Sequence, residues 1–522
     1  MIYEIQIAGV IGPVVASCLP EFTAEDFRYW WEDVLNHPEL RPMGLPAELL
    51  VEGEAPTFEV PGPHAVRYTW TRPNPGFLPS LADARAIELF GPAHYLKPMH
   101  PRYADPKELA ERVEASGRQG WAHLHNALDN ARNNDNPDLP SLQPWVPVTR
   151  PPAGRFVFER NPFYHRVDPE GRQLPYIDRV SMLIADSKLI PAKTGAGEAD
   201  LQARYLQFNT FPVLKVAEER NGLHAMLWQT GVGSRLALYP NLTHADPVWR
   251  AVLRDPRFRR ALSLGIDRDE INQVVYFGLG QVSNNTMTRR SPLWRKDHQF
   301  AWTEYRPEES GRLLDEMGLA QGPGGTRLLP DGRPLHIVVE TAGTDTEETD
   351  VLQLIADGWR RLGIRIFPKT MRIDVLRNRI YAGETVMAIA TGLENAIATP
   401  DMSPAELAPV DQGEYQWPRW GQYVQTGGKS GEAADLPEAV RLLELLKTWR
   451  EAPDTAGREA AWQEMLAIHA DQQFTIGLVN GTLQPVVIRA GLRNVPEDGI
   501  FNWDPGAHFG IYNPDTFWFE ED

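Results

Sequence analysis

Phe27, Trp30, Trp31 and Val34 recur at helical spacing through FTAEDFRYWWEDVL and predict a helix with one apolar face. Thr23, with Asp26 three residues on, makes a variant capping box, and Phe22 is placed to staple against Phe27. The period then changes. GEAPTFEVPGPHAVRYTWTRPNPGFLPSLA alternates apolar and polar residues between turns, which predicts two strands of a hairpin or meander. Residues 106–132, including DPKELAERV, return to a helical pattern, and the polar Asn- and Pro-rich stretch 133–147 marks a boundary. From 154 to 239 the short apolar runs in GRFVFERNPFYH, LPYIDRVSMLIA, LHAMLWQT and SRLALYP predict a strand-rich segment.

A second segment opens in DPVWRAVLRDPRFRRALSLGIDRDEINQVVYFG. Asp255-Pro256 supplies an N-cap with proline at the first helical position, Asp267 with Glu270 supplies another cap, and Gly278 is placed to end that helix. LHIVVE, then LQLIADGWRRLG with Leu352, Ile355, Trp359 and Leu362 on one face, then IRIFP, predict a βαβ unit with a parallel strand pair. Two amphipathic helices at 436–449 and 458–469 precede a last strand-rich segment, FTIGLVNGTLQPVVIRAGLRNV. The pattern is α/β, in several lobes.

With 522 residues and 42% hydrophobic content the chain fills two or three cores. No apolar run approaches the roughly 18–20 residues of a membrane span, so a membrane-spanning protein is not expected. A net charge of −18 argues against nucleic acid or anionic lipid as partner, since both demand basic surfaces. The one cysteine, Cys18, excludes an internal disulfide and every Cys-rich metal spacing. Val15-Ala16-Ser17-Cys18 reads like a lipoprotein processing box, but Glu4, Pro13 and the absence of Lys or Arg before Cys18 set it apart from an export signal.

Catalytic constellations are thin. His123 and His125 in HLH fall on opposite sides of a helix and read as a surface pair with no shared metal. GPGGT at 322–326 reads as a plain turn, and there is no G-x-S-x-G or H-E-x-x-H. No enzyme activity, cofactor or metal is expected. The aromatics are more suggestive. EYQWPRWGQYVQTGG gathers Tyr415, Trp417, Trp420 and Tyr423 in what reads as a loop, either lining a ligand cleft or plugging a core.

DPRFRRALSLGIDRDEI resembles the segment that marks the family 5 extracellular solute-binding proteins of ABC importers. FTAEDF, NPFYH with LPYIDRV, GEADL at 197–201, YRPEESGRLLDEMG and DGRPLHIVVE follow in that family's order. The resemblance implies a two-lobed, hinge-linked periplasmic-binding-protein fold with an extra subdomain: subdomain 21–146, lobe I 147–241, lobe II 242–480, and a crossover and return to lobe I over 481–522. Asn241 and Asn480 would mark the crossovers. It also places the FTAED helix deep in the mature chain. The expectation here is therefore an N-terminally truncated product, missing early strands, with residues 1–20 foreign to the fold.

The resemblance further implies a periplasmic, monomeric substrate-binding component. It would capture a small solute, most readily an oligopeptide, between its lobes and deliver it to ABC permease subunits. Peptide-binding relatives pair an aspartate with the peptide ammonium. The corresponding IATGLENAIATPDM departs from their pattern, leaving Glu394 or Asp401 for that role. A saccharide ligand, stacked on Trp417 and Trp420, and a non-functional fragment are the alternatives.

Overall fold

The structure, a computed structural model, describes residues 2–6, 21–42, 44–82, 84, 86–343 and 346–520. The 15–18 box and Cys18 lie outside the described residues. The chain divides into two compact units, Met1–Asp186 with Gly491–Pro496 and Phe509–Asp522, and Ser187–Ala490 with Glu497–His508. The boundaries expected at 146 and 241 fall inside these units. Among the described residues no helix is long and apolar enough to cross a membrane.

In the first unit Ile2–Gln6 pairs antiparallel with Ala65–Thr69, which pairs in turn with Thr57–Gly62. Residues 2–6 are thus built into a sheet, against the expectation that the opening segment is foreign to the fold; half-buried Ile5 packs on this unit's core. The Thr23–Asp26 capping box forms, and the Phe22 and Phe27 rings meet at 5.6 Å. Beyond Tyr29 the helix widens into a π turn, Trp30–Leu35, that buries Trp30, Val34 and Leu35. The predicted helix 106–132 is two helices, Pro106–Ser116 and Trp121–Leu128, separated at Gly117, whose φ of +65° ends the first.

His125 is not a surface residue. It is fully buried and shares a 2.7 Å hydrogen bond with the Tyr29 hydroxyl through Nε2. Burial, then the neighbouring His100 and Arg41, push its pKa from 6.5 down to about 3. Because the fold holds this ring neutral while the unfolded chain does not, stability is expected to fall as pH drops below about 6.5 and to go on falling towards 3. Thermal melts at pH 7 and pH 4.5 check this. The drop should be smaller in His125→Phe, and an equal drop would place the acid sensitivity elsewhere.

The second unit holds two principal sheets, a smaller and a larger, beside the two-stranded pair of Gln281–Val282 with Val479–Asn480. The smaller has Leu483–Arg489 at its centre, antiparallel to both Leu201–Gln202 and Leu223–Gln229. Helices Ile190–Gly195 and Phe211–Asn221 pack beside it, in a stretch expected to be strand-rich. The second helix escapes a periodicity reading because Leu214 is its one buried apolar residue, while Val213 and Val216 face solvent.

The larger sheet runs Arg365–Thr370, His336–Thr341, Met387–Ala390, Ala237–Pro240, Ile476–Gly477. The first three strands are parallel neighbours, joined as predicted through the helix Glu347–Arg361 with Leu352, Ile355, Trp359 and Leu362 buried. Pro256 opens a helix capped by Asp255, whose carboxylate accepts from Arg257 N at 2.9 Å, and Asp267 accepts from Glu270 N at 2.9 Å. That second helix turns off one residue early, at Phe277 in the left-handed region, with Gly278 following.

The chain passes from the smaller to the larger sheet at residues 230–236 and returns at 481–482. Asn241 is therefore not in a crossover. It sits one residue past Ala237–Pro240, where its buried side chain donates to Thr385 O and accepts from Thr243 N and Oγ1, each at 2.9 Å. Asn480 does adjoin the return crossover, held by a 3.0 Å bond from its Nδ2 to Ser283 Oγ. Gly233 in the first crossover is a packing requirement: a Cβ there would lie 2.9 Å from both Leu393 Cβ and Thr286 O.

Candidate ligand site

The loop that leaves the Met387–Ala390 strand is laid along the first crossover by backbone bonds. Gly392 N donates to Ser234 O at 2.9 Å, Gly233 N to Leu393 O at 2.7 Å, and Ala396 N to Gly231 O at 2.8 Å. From the other side Asn502 Nδ2 donates to Glu394 O at 2.7 Å. The carboxyl ends of parallel strands are where open α/β sheets hold ligands, and Glu394 is fixed there by three chain segments.

Around Glu394 the unit gathers two tyrosines and two further carboxylates. Tyr239 donates to Thr391 O at 2.5 Å and meets the Tyr415 ring edge-on at 5.6 Å. Burial, then the charges of Glu406, Glu394 and Glu414, raise the Tyr239 hydroxyl well above its usual range. Glu406 accepts from Glu394 N at 2.8 and 3.0 Å. Its side chain keeps solvent contact, yet protein crowds it enough that burial, with the nearby Glu394 and Asp504, pushes its pKa up to about 8. Glu406 is thus an exposed carboxylate set in a cluster of acidic side chains. Glu414, bonded to Trp417 Nε1, is likewise raised, by burial and by Asp411 and Glu406. No basic side chain forms an ion pair with Glu406 or Glu414 among the described residues.

Of the residues singled out in the sequence, the structure brings Tyr415 and Glu394 to this acidic cluster. The others lie elsewhere. The stretch expected to be a loop forms the helix Pro418–Gln425. Trp417 and Trp420 are 0% exposed in a core with Trp449, Trp462 and Phe474. Proline at the first helical position starts that helix, and its short apolar face buries the rings. Tyr423 is on the outer face. Asp401 is engaged by Arg458 at 2.6 Å and Thr455 Oγ1 at 3.1 Å, tying down the helix Thr455–Gln472. Tyr239, Glu406 and Glu414 escaped the sequence reading. The one available cue was Tyr239, set by strand alternation on the face opposite Leu238.

The profile of the bacterial extracellular solute-binding proteins, family 5 middle region, matches residues 20–407. The periplasmic alpha-galactoside-binding protein of Rhizobium meliloti is 22% identical over 507 residues, covering 92% of this chain and 68% of that protein. The solved oligopeptide-binding protein OppA is 27% identical with a TM-score of 0.64, over 96% of this chain and 80% of its own. The periplasmic binding protein MelB of Agrobacterium fabrum, solved with stachyose, is 20% identical with a TM-score of 0.72, over 96% and 72%. The matched profile spans most of the chain, and the chain belongs to the bacterial extracellular solute-binding proteins of family 5.

Proposed function

We propose that this solute-binding protein captures an oligopeptide through its α-ammonium and delivers it to the permease of an ABC importer in the periplasm. The observation that carries the ligand class is the concentration of Glu394, Glu406 and Glu414 around Tyr239 and Tyr415, with no base ion-paired to the last two glutamates among the described residues. Carboxylates crowded together repel one another, and a cation placed among them relieves the repulsion. In this reading Glu394 meets the ammonium, Glu406 and Glu414 supply the surrounding field, and the tyrosines hold the first side chain. The residues 230–236 and 481–482 serve as the hinge, in place of Asn241. Subdomain 21–146 remains part of the proposed finer division, with the boundary between the two lobes in the first crossover, 230–236, instead of at 241. Catalysis forms no part of this reading.

Titration calorimetry with matched free and N-acetylated peptides tests it. Acetylation and Glu394→Gln should each weaken binding by about 2–5 kcal/mol, as when a buried charge loses its partner. An ammonium also draws down the pKa of Glu406, so binding at pH 7 should release up to one proton, read from buffers of different ionisation enthalpy. Equal binding of the two peptides, with no proton released, overturns the reading.

A saccharide is the second reading. It is favoured by the galactoside-binding relative, which matches 92% of the chain, and by the Tyr239–Tyr415 pair, since acceptor carboxylates beside aromatic rings also suit sugar hydroxyls. Binding of a galactoside oligosaccharide without proton release would select it.

A further inference from the structure

The second unit contains a cavity of about 410 Å³ that shares no residue with the acidic cluster. One wall comes from the smaller sheet's side, at Leu206 and Phe208. The other comes from the ends of two helices beneath the larger sheet, at Phe277 and along Glu347–Arg361. Thr230 and Arg235 of the first crossover and Thr482 of the second complete it.

Two features of the lining, the helix-ending Phe277 and the exposed first-turn Asp350, also face the cavity. Phe277 holds a left-handed backbone, φ +53°, that bulky residues adopt at a cost, and its ring is 55% exposed instead of packed in a core. The ring stands 5.6 Å from that of Phe208, so the two make an aromatic corner open to the cavity. The second feature is charge. Arg235 is occupied by Glu347, with Nε and Nη2 contacts of 2.9–3.2 Å, and Tyr276 donates to the same carboxylate at 2.5 Å. Asp357 pairs with Arg360 at 2.9 Å. Asp350 is the lining carboxylate left without an ion pair among the described residues.

We propose that this cavity is a second ligand site, for a small organic cation with an aromatic or aliphatic body. The body would lie in the Phe208–Phe277 corner, with the charge towards Asp350. An aromatic face and a carboxylate favour a cation together, the first through its quadrupole and the second through charge. A ligand there touches both crossovers and elements of both sheets, so its binding is linked to any movement of one sheet against the other.

Ligand-observed NMR titration of the whole chain tests the proposal, with phenethylammonium as probe and 2-phenylethanol as its neutral counterpart. The cation should bind in the millimolar range and about tenfold more tightly than the alcohol, the ratio expected of one charge-assisted contact. Asp350→Asn should abolish that preference. Phe277→Asn should weaken both probes while leaving the melting temperature unchanged or higher, because asparagine tolerates the left-handed backbone. Binding should persist in Glu394→Gln, which separates this site from the acidic cluster. No binding, equal binding of the two probes, or loss of binding in Glu394→Gln but not in Asp350→Asn would overturn it.

Discussion

Arg268→Met is expected to destabilise the second unit by about 3–5 kcal/mol, the range for breaking a buried charged network. Arg268 is 1% exposed and has no carboxylate partner among the described residues. Burial alone pushes its guanidinium down to about 9. What holds it is a cage of oxygens: Nε donates to Gly477 O at 2.8 Å, Nη1 to Ser263 O at 2.9 Å and Thr303 O at 3.2 Å, and Nη2 to Ser263 Oγ at 2.7 Å. Methionine fills much of the volume but removes the donor from Gly477 O and Thr303 O, each at a cost of about 1–3 kcal/mol when buried, while Ser263 O keeps Ile266 N and Ser263 Oγ keeps Trp302 O. Lysine keeps the charge with three donors in place of five and should lose less. Urea denaturation of the three proteins checks the order. A methionine variant as stable as the parent would show that the cage closes up or admits water.

This cage gives the physical content of DPRFRRALSLGIDRDEI. Asp255 caps, while Arg259 lies buried with its Nε on Gln472 O at 2.8 Å and its Nη1 on Leu253 O at 2.6 Å. Arg268 ties that helical segment to the strand Ile476–Gly477, more than two hundred positions away in sequence. The segment was readable because its demands are local: caps, a proline, a short apolar face. The βαβ unit was readable for the same reason, since periodicity switches from 2 to 3.6 and back within about thirty-five residues. The ligand site was not. Glu406 and Glu414 are two of 70 acidic residues, and what distinguishes them is the loop along the first crossover, set by pairings between distant segments. His125 failed similarly: helical spacing separated it from His123 but could not say that Tyr29 would meet it in the core.

The tryptophans carry the second large effect, and on stability, where the sequence pointed to affinity. Trp420→Ala should cost about 3–5 kcal/mol, the range for truncating a buried aromatic ring, with little change in ligand affinity. Trp420 is 0% exposed, packed 6.3 Å from the Trp417 ring, with the Arg254 guanidinium 5.2 Å from its own. Its aromatic and cation–π contacts are to Trp417 and Arg254 in this core. Trp417 differs, because its Nε1 donates to Glu414. Trp417→Phe keeps most of the packing against Phe474 and His469, at 5.1 and 5.7 Å, but leaves the Glu414 carboxylate without that donor. It should therefore cost less stability than Trp420→Ala and shift ligand affinity more. Paired melting curves and calorimetric titrations of the two variants separate the roles. Affinity lost in Trp420→Ala at an unchanged melting temperature would return that ring to the ligand and remove it from the core.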